Sequence, residues 1–199
     1  QGVENIAYYL LSNIANEYSY TNLSKMTQIK SVHTLQKYLS YLEEAFIFFS
    51  VKRFSNKLKE QITFNQKIYC IDNGFINAKA FKITPDRGKL YENIVAQELK
   101  KKEMDNKLRF FYWKNSQQEE VDFVIQEDMK VKQLIQVCYN LNNIDTKSRE
   151  VRVLLKAGKE LKCDNLLVIN QEYTGEEDVE WFGIKRKVKF IPLWKWLLV

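Results

Sequence analysis

The sequence predicts a mixed α/β (α+β) fold in two parts. Three observations lead there. Of 199 residues, 45% are apolar and 28% charged, the balance of a globular chain. In the first part, helix-spaced apolar residues give way to a short aromatic and β-branched ribbon. Beyond a segment containing Thr84-Pro85-Asp86 and then Gly88, the pattern restarts as a helix, three strands, a helix and a strand. A chain of this length buries roughly two-thirds of its unfolded surface, so it needs no staple. With 6 Gly and 2 Pro it is neither collagen-like nor a Pro-rich linker. Its longest uncharged, mainly apolar run, Ala45 to Val51, is far too short to span a bilayer, so no membrane partner is expected.

In the first part, Val3, Ile6, Tyr9, Leu10, Ile14 and Ala15 lie near helical spacing and predict an amphipathic helix over 3–17. Thr21 is an N-cap candidate for a short helix carrying Leu23 and Met26. Thr27 to Lys30 form a polar turn. Ser31 is the next N-cap candidate, and Val32, Leu35, Leu39 and Leu42 form the buried stripe of a helix ending near Glu44. Phe46 to Phe54 reads as a strand, Ser55 to Glu60 as a basic turn, and Lys67 to Asp72 as a second strand. Helix, short helix, turn, longer helix and two-stranded ribbon is the order of a winged helix-turn-helix, expected at 1–80. Its third helix would expose Ser31, His33, Thr34, Gln36, Lys37 and Ser40, donors and acceptors suited to phosphates and base edges. The ribbon turn would add Lys52, Arg53, Lys57 and Lys59. Glu43 and Glu44 oppose a phosphate at that helix end, and winged helices also serve as protein–protein modules.

Asn77 to Arg87 is the linker, with a second domain at 86–199. Leu90, Ile94, Val95 and Leu99 define a helix whose terminal Lys100-Lys101-Lys102 complements its dipole. Strands follow at Leu108–Trp113, Val121–Ile125 and Gln133–Tyr139. Thr146 to Leu161 is helical, Leu166–Ile169 is a strand covered on both faces, and Val188–Ile191 and Trp194–Val199 close the domain.

The net charge is +6, with residues 1–85 carrying 10 basic and 6 acidic groups. That balance permits a polyanionic partner. Cys70, Cys138 and Cys163 are an odd, scattered set without a C-x-x-C pair, which argues against disulfides or structural zinc and for a reducing cytoplasm. The start at Gln1 carries neither the basic opening nor the cleavage site of a signal peptide, and reads as a cut from a larger protein. No G-x-x-x-x-G-K-[S/T] or G-x-G-x-x-G run is present, so no ATP site is expected in this chain.

The residues that carry chemistry are Glu92 on the helix after the linker, Asp122 at the entry to an apolar strand, and Gln136 on the next strand. Alternation puts Gln136 and Cys138 on one face, opposite Ile135 and Val137. A buried polar group there needs partners, and a neighbouring carboxylate with a hard cation such as magnesium would supply them. The only histidine, His33, lies in the other part, so a Cys-His hydrolase is not expected.

Helix-Glu, strand-Asp and then [Glu/Gln]-x-Lys, set in the order α-β-β-β-α-β, resembles the PD-(D/E)XK restriction-endonuclease-like superfamily. The whole chain, including Lys67-Ile68-Tyr69-Cys70-Ile71-Asp72-Asn73-Gly74 and Leu134 to Tyr139, resembles the C-terminal region of prokaryotic AAA-type ATPases of the archaeal kind. That resemblance implies a catalytic and metal-binding set of Glu92, Asp122 and Gln136 holding Mg2+ near a scissile phosphate, with an ATPase module upstream. The family's lysine falls on Cys138, which supplies no cation, and Gln136 is neutral. The expected role is therefore DNA binding within a larger AAA-type ATPase, with a degenerate nuclease-like domain. The alternatives are a magnesium-dependent DNA endonuclease and a protein-interaction module that assembles the ATPase. The sequence leaves the oligomeric state open.

Overall fold

The computed structural model describes residues 2–79 and 86–198, which form two compact units, Gln1–Gln97 and Glu98–Val199. Both mix helices with sheet, the coarse class expected from sequence. Thr84 and Pro85 of the expected linker lie outside the described residues, as does Val199.

The first unit opens with helix α1 (Gly2–Ser12), which buries Ile6, Leu10 and Leu11. It is shorter than the periodicity suggests. Asn13 Nδ2 donates to the Tyr9 carbonyl at 2.8 Å, and Ala15 turns left-handed at φ 59°. That turn admits strand β1 (Glu17–Tyr18), two residues with no periodicity of their own. Helix α2 (Tyr20–Thr27) is capped by Ser19, not Thr21: Ser19 Oγ accepts from Asn22 N at 3.2 Å. Ser31 caps α3 (Val32–Glu44) as expected, accepting from Thr34 N at 3.2 Å. Leu35, Leu39 and Leu42 are its buried stripe, each side chain worth about 1.5–3 kcal/mol of transfer free energy.

Strand β2 (Phe48–Val51) follows. The expected basic turn is instead the lead-in to a short helix, α4 (Leu58–Thr63). Ser55 organises it: Ser55 Oγ donates to Glu60 Oε2 at 2.6 Å and Gln61 Nε2 donates to the Ser55 carbonyl at 2.6 Å. Strand β3 (Gln66–Cys70) is central in a three-stranded antiparallel sheet of order β1-β3-β2, pairing Val51 and Glu17 both with Lys67. Helix α5 (Asn73–Lys79) runs into what the sequence suggests is linker. Helix α6 (Arg87–Met104) begins where that segment ends, and the division between units falls within it. In its first half, fully buried Asn93 accepts from Cys70 N at 2.8 Å and donates to the Cys70 carbonyl at 2.9 Å, tying the helix to the end of β3.

The second unit holds strands β4 (Arg109–Lys114), β5 (Glu120–Glu127) and β6 (Lys130–Val137), helix α7 (Ile144–Leu161), strands β7 (Leu166–Asn170), β8 (Gly175–Trp181) and β9 (Ile184–Pro192), and helix α8 (Leu193–Trp196). They form one mixed sheet of order β4-β5-β6-β7-β9-β8. Strands β6, β7 and β9 run parallel; the remaining pairs are antiparallel. All five residues of β7 are buried, as its continuous apolar run requires. Helix α7 buries Val151, Leu154 and Leu155. A side chain at Gly158 would bring Cβ within 2.8 Å of the Cys163 carbonyl, so only glycine admits the return of the chain there.

Strand β8 escapes sequence reading because its solvent face is charged. Glu176, Asp178 and Glu180 stand opposite Lys189, Lys187 and Lys185 of β9. This cross-strand ladder supports the hairpin and blunts the sheet edge against foreign strands. No helix among the described residues is long and apolar enough to cross a membrane.

Candidate functional site

On α3, Ser31, His33, Gln36 and Lys37 are exposed and Thr34 is half-buried. Ser31 Oγ is committed to capping, so of this group His33, Gln36 and Lys37 carry the outward chemistry. Lys37 Nζ lies 5.7 Å from the Tyr41 ring centroid, and Ser40 Oγ donates to Glu44 Oε1 at 2.6 Å. Glu43 is turned inward, accepting from Ser50, so both acids at this helix end are engaged by serine hydroxyls. Lys52 and Lys57 on the β2–α4 connection and Lys59 in the first turn of α4 are exposed. Lys57 bridges Glu60 at 3.1 Å, and the Arg53 guanidinium rests 4.2 Å from the Phe64 ring centroid.

Glu92 sits in the first unit, in the first half of α6. Its Oε1 accepts from Lys67 Nζ at 2.8 Å and from Tyr69 OH at 2.7 Å, with the Lys67 side chain 2% exposed and that of Glu92 12%. The two donors both project from β3, so Glu92 ties the helix to the strand electrostatically.

Asp122 and Gln136 sit in the second unit and are brought together. The β5–β6 ladder runs to the pair Phe123↔Ile135. One residue further on, side chains take over from backbone. Val137 N donates to Asp122 Oδ2 at 2.8 Å, and Asp122 N donates to Gln136 Oε1 at 3.4 Å. Both residues are buried, at 6% and 5% exposure. Gln136 then uses its other end, Nε2 donating to Glu150 Oε2 at 2.7 Å. The second Glu150 oxygen accepts from Arg149 Nη2 at 2.7 Å and Nε at 3.2 Å.

Glu150 is the residue that sequence reasoning missed. It lies one helical turn before Leu154, on the edge of the buried stripe of α7, and a carboxylate in that position is itself a signal. The cluster places two carboxylates and one amide at the end of β6 beside the start of β5. Gln136 holds it together because an amide both accepts from Asp122 and donates to Glu150. Magnesium calls for several oxygen ligands in near-octahedral geometry. Here Glu150 and the Gln136 amide are engaged by protein donors, as is Asp122 Oδ2. Among the described residues no group of three or more His, Cys, Asp or Glu is placed to hold a metal ion.

Cys138 follows on β6's exit, its thiol donating toward the Asn140 carbonyl at 3.5 Å. Burial, then the charges of Glu150 and Asp122, push the thiol up to about 11. It is therefore a neutral group at physiological pH and a poor nucleophile. All three cysteines are buried. We expect no thiol of the folded chain to react with a chromogenic disulfide reagent on the timescale of minutes at pH 8, and three to react in urea. Because the folded thiol keeps its proton while the unfolded one ionises near pH 9, the Cys138 contribution to stability is lost as pH rises from about 9 through about 11.

Comparison with known proteins gives matches over both parts. A family model described as a domain of unknown function (DUF8612) matches residues 2–87, and another, a domain of unknown function (DUF4143), matches residues 87–196. An uncharacterized protein of Methanocaldococcus jannaschii is 33% identical over 199 residues, which is 98% of this chain and 43% of that protein. An uncharacterized protein of Haemophilus influenzae is 28% identical over 101 residues, 49% of this chain and 25% of that protein. The chain thus spans less than half the length of the curated relatives it matches. With more than half of its own residues covered by the model at 87–196, the chain belongs to the DUF4143 family.

Proposed function

We propose that this chain is the nucleic-acid-binding, C-terminal portion of a larger AAA-type ATPase, acting in the cytoplasm, with a winged helix-turn-helix that engages duplex DNA and a nuclease-like domain whose site is degenerate. The observation that carries this is the outward row His33, Gln36 and Lys37 on α3, together with exposed Lys52 and Lys57 on the β2–α4 connection and Lys59 at the start of α4. The order α1-β1-α2-α3-β2-β3 and the sheet order β1-β3-β2 support the winged helix, with α4 inserted in the wing. The order α6-β4-β5-β6-α7-β7 supports the nuclease-like core. Degeneracy rests on neutral groups at Gln136 and Cys138 and on the engagement of Glu150 by Arg149.

The test is fluorescence anisotropy of a labelled duplex of about 20 base pairs titrated with the chain at several salt concentrations. We expect an affinity that falls linearly with the logarithm of salt. Lys37→Glu with Lys59→Glu should weaken binding at least about tenfold and reduce the slope by roughly one for each phosphate no longer neutralised. An absence of binding at low salt sinks the proposal in favour of a protein-assembly role.

A second reading, a magnesium-dependent endonuclease, is favoured by one observation: Glu150 adds a second carboxylate to Asp122 and Gln136. Under that reading Asp122→Ala abolishes metal-dependent nicking. Under the degenerate reading the unmodified chain leaves DNA intact in magnesium and manganese.

A further inference from the structure

We propose that α4 is an apolar wedge for duplex DNA: Leu58 and Ile62 enter the minor groove beside the α3 footprint and partly unstack one base step. The substrate class is then a duplex with an easily opened step at that flank, and the inference rests on the DNA-binding reading above.

Helix α4 is inverted. Leu58 and Ile62 are four residues apart, about 40° from each other around the helix. They are 72% and 62% exposed, and α4 buries none of its residues. Its polar side is the one that holds it in place. Glu60, on the far side from Leu58, accepts from Ser55 Oγ at 2.6 Å and from Lys57 Nζ at 3.1 Å. Gln61 Nε2 donates to the Ser55 carbonyl. A surface helix ordinarily does the reverse, with its apolar stripe inward and its charges outward. The Arg53 guanidinium, 4.2 Å from the Phe64 ring centroid, braces the two ends of the β2–β3 connection that carries α4.

Charge selects the occupant. Between Tyr18 and Lys59 the chain carries seven Lys and Arg against two acids, five of its net +6. Those acids, Glu43 and Glu44, are engaged by Ser50 and Ser40. Lys57 and Lys59 bracket Leu58 in sequence, and Lys52 is exposed nearer β2. An apolar pair set among cations fits a polyanion with an apolar interior, which a stacked duplex is. Two side chains one helical turn apart are too small an apolar face to hold the chain on a lipid surface.

The wedge need not supply the affinity. Phosphate contacts do that, and unstacking a step bends the duplex so that more phosphates meet the lysines. The cost depends on the step. Pyrimidine–purine steps and mismatches open cheaply, whereas A-tracts are stiff. Leu58 and Ile62 thereby give a preference among duplexes without reading a base edge.

The test is resonance energy transfer between dyes at the two ends of a duplex of about 20 base pairs, with binding followed by anisotropy on the same samples. We expect the chain to raise the transfer efficiency as it binds, and to bind a duplex with a TA step or one mismatch at least about fivefold tighter than an A-tract. Leu58→Ala with Ile62→Ala should still bind, at the wild-type urea midpoint, but leave the transfer efficiency unchanged and cut the preference to within about twofold. Binding with no rise in transfer overturns the wedge and leaves the DNA-binding reading standing. No binding at low salt overturns both. Bending that survives the double variant overturns the assignment to Leu58 and Ile62. Sedimentation with phosphatidylserine vesicles that the double variant abolishes gives this face to a lipid surface and likewise overturns the wedge.

Discussion

Replacing Glu92 by alanine is expected to lower the stability of the chain by about 3 kcal/mol, read as a shift in the urea unfolding transition. The reason is the partner left behind. Lys67 is 2% exposed, and its ammonium donates to Glu92 Oε1 at 2.8 Å while Tyr69 OH donates to the same oxygen at 2.7 Å. Removing the carboxylate takes a close anionic partner from a buried ammonium and an acceptor from the Tyr69 hydroxyl, and the loss is a desolvation cost more than a missing attraction. Lys67→Met should cost less, because Glu92, at 12% exposure, keeps the tyrosine hydroxyl. Glu92→Leu with Lys67→Met should recover most of the stability, since two apolar groups replace the pair. The same variants separate the roles of Glu92. A structural Glu92 gives the same penalty in EDTA as in magnesium. A ligating Glu92 gives a penalty that appears only when metal is present. A Glu92→Ala chain that unfolds at the wild-type midpoint removes the buried-pair argument altogether.

That Glu92 stands out in the sequence at all depends on motif spacing, and spacing carries no information about partners. Lys67 reads as one more surface lysine of a short strand. Only the pairing of β3 between β1 and β2 shows that it is enclosed. The long periodic elements were legible: the Leu35, Leu39, Leu42 stripe of α3, the buried face of α7, and the apolar run of β7. Elements whose shape is set by single contacts were not. Strand β1 is two residues long, and α4 is six residues held by Ser55. Strand β8 alternates acids with half-buried residues, so its period is hidden by charge. At the candidate site the sequence offered Asp122 and Gln136 but not Glu150, because a helix following the strand has no fixed register against it until it packs. Helix α7 then supplies a carboxylate to a strand amide through tertiary contact alone.

Gln136→Glu is the substitution that asks most of this site. Gln136 Nε2 now donates to Glu150 Oε2 at 2.7 Å, and Val137 N fixes Asp122 Oδ2 one strand away. A carboxylate at 136 removes that donor and sets two acids within hydrogen-bond distance, both largely enclosed. At pH 7 the expected loss is about 2–3 kcal/mol, by Coulomb repulsion at an effective dielectric constant near 20, partly relieved by relaxation. The sign of the pH dependence follows. One of the paired acids is pushed above its unfolded value, so the folded state holds a proton the unfolded state releases. The variant is least impaired near pH 4 and loses stability as pH rises through the folded value. Magnesium or manganese should reverse this, because Asp122, Glu150 and the new carboxylate at position 136 would then form an acidic set for a hard cation. Binding to the folded state alone raises the midpoint in proportion to the logarithm of metal concentration. Adding Cys138→Lys supplies the cation that the neutral thiol cannot, and the double variant is the one in which metal-dependent nicking of duplex DNA is expected. If metal stabilises the Gln136→Glu chain and not the wild type, one amide accounts for the loss of the metal site. If metal stabilises the wild type equally, Gln136 is already a ligand and the endonuclease reading replaces the degenerate one. If metal stabilises neither, the cluster at the end of β6 is a strand clamp, and Asp122 serves it by holding Val137 N.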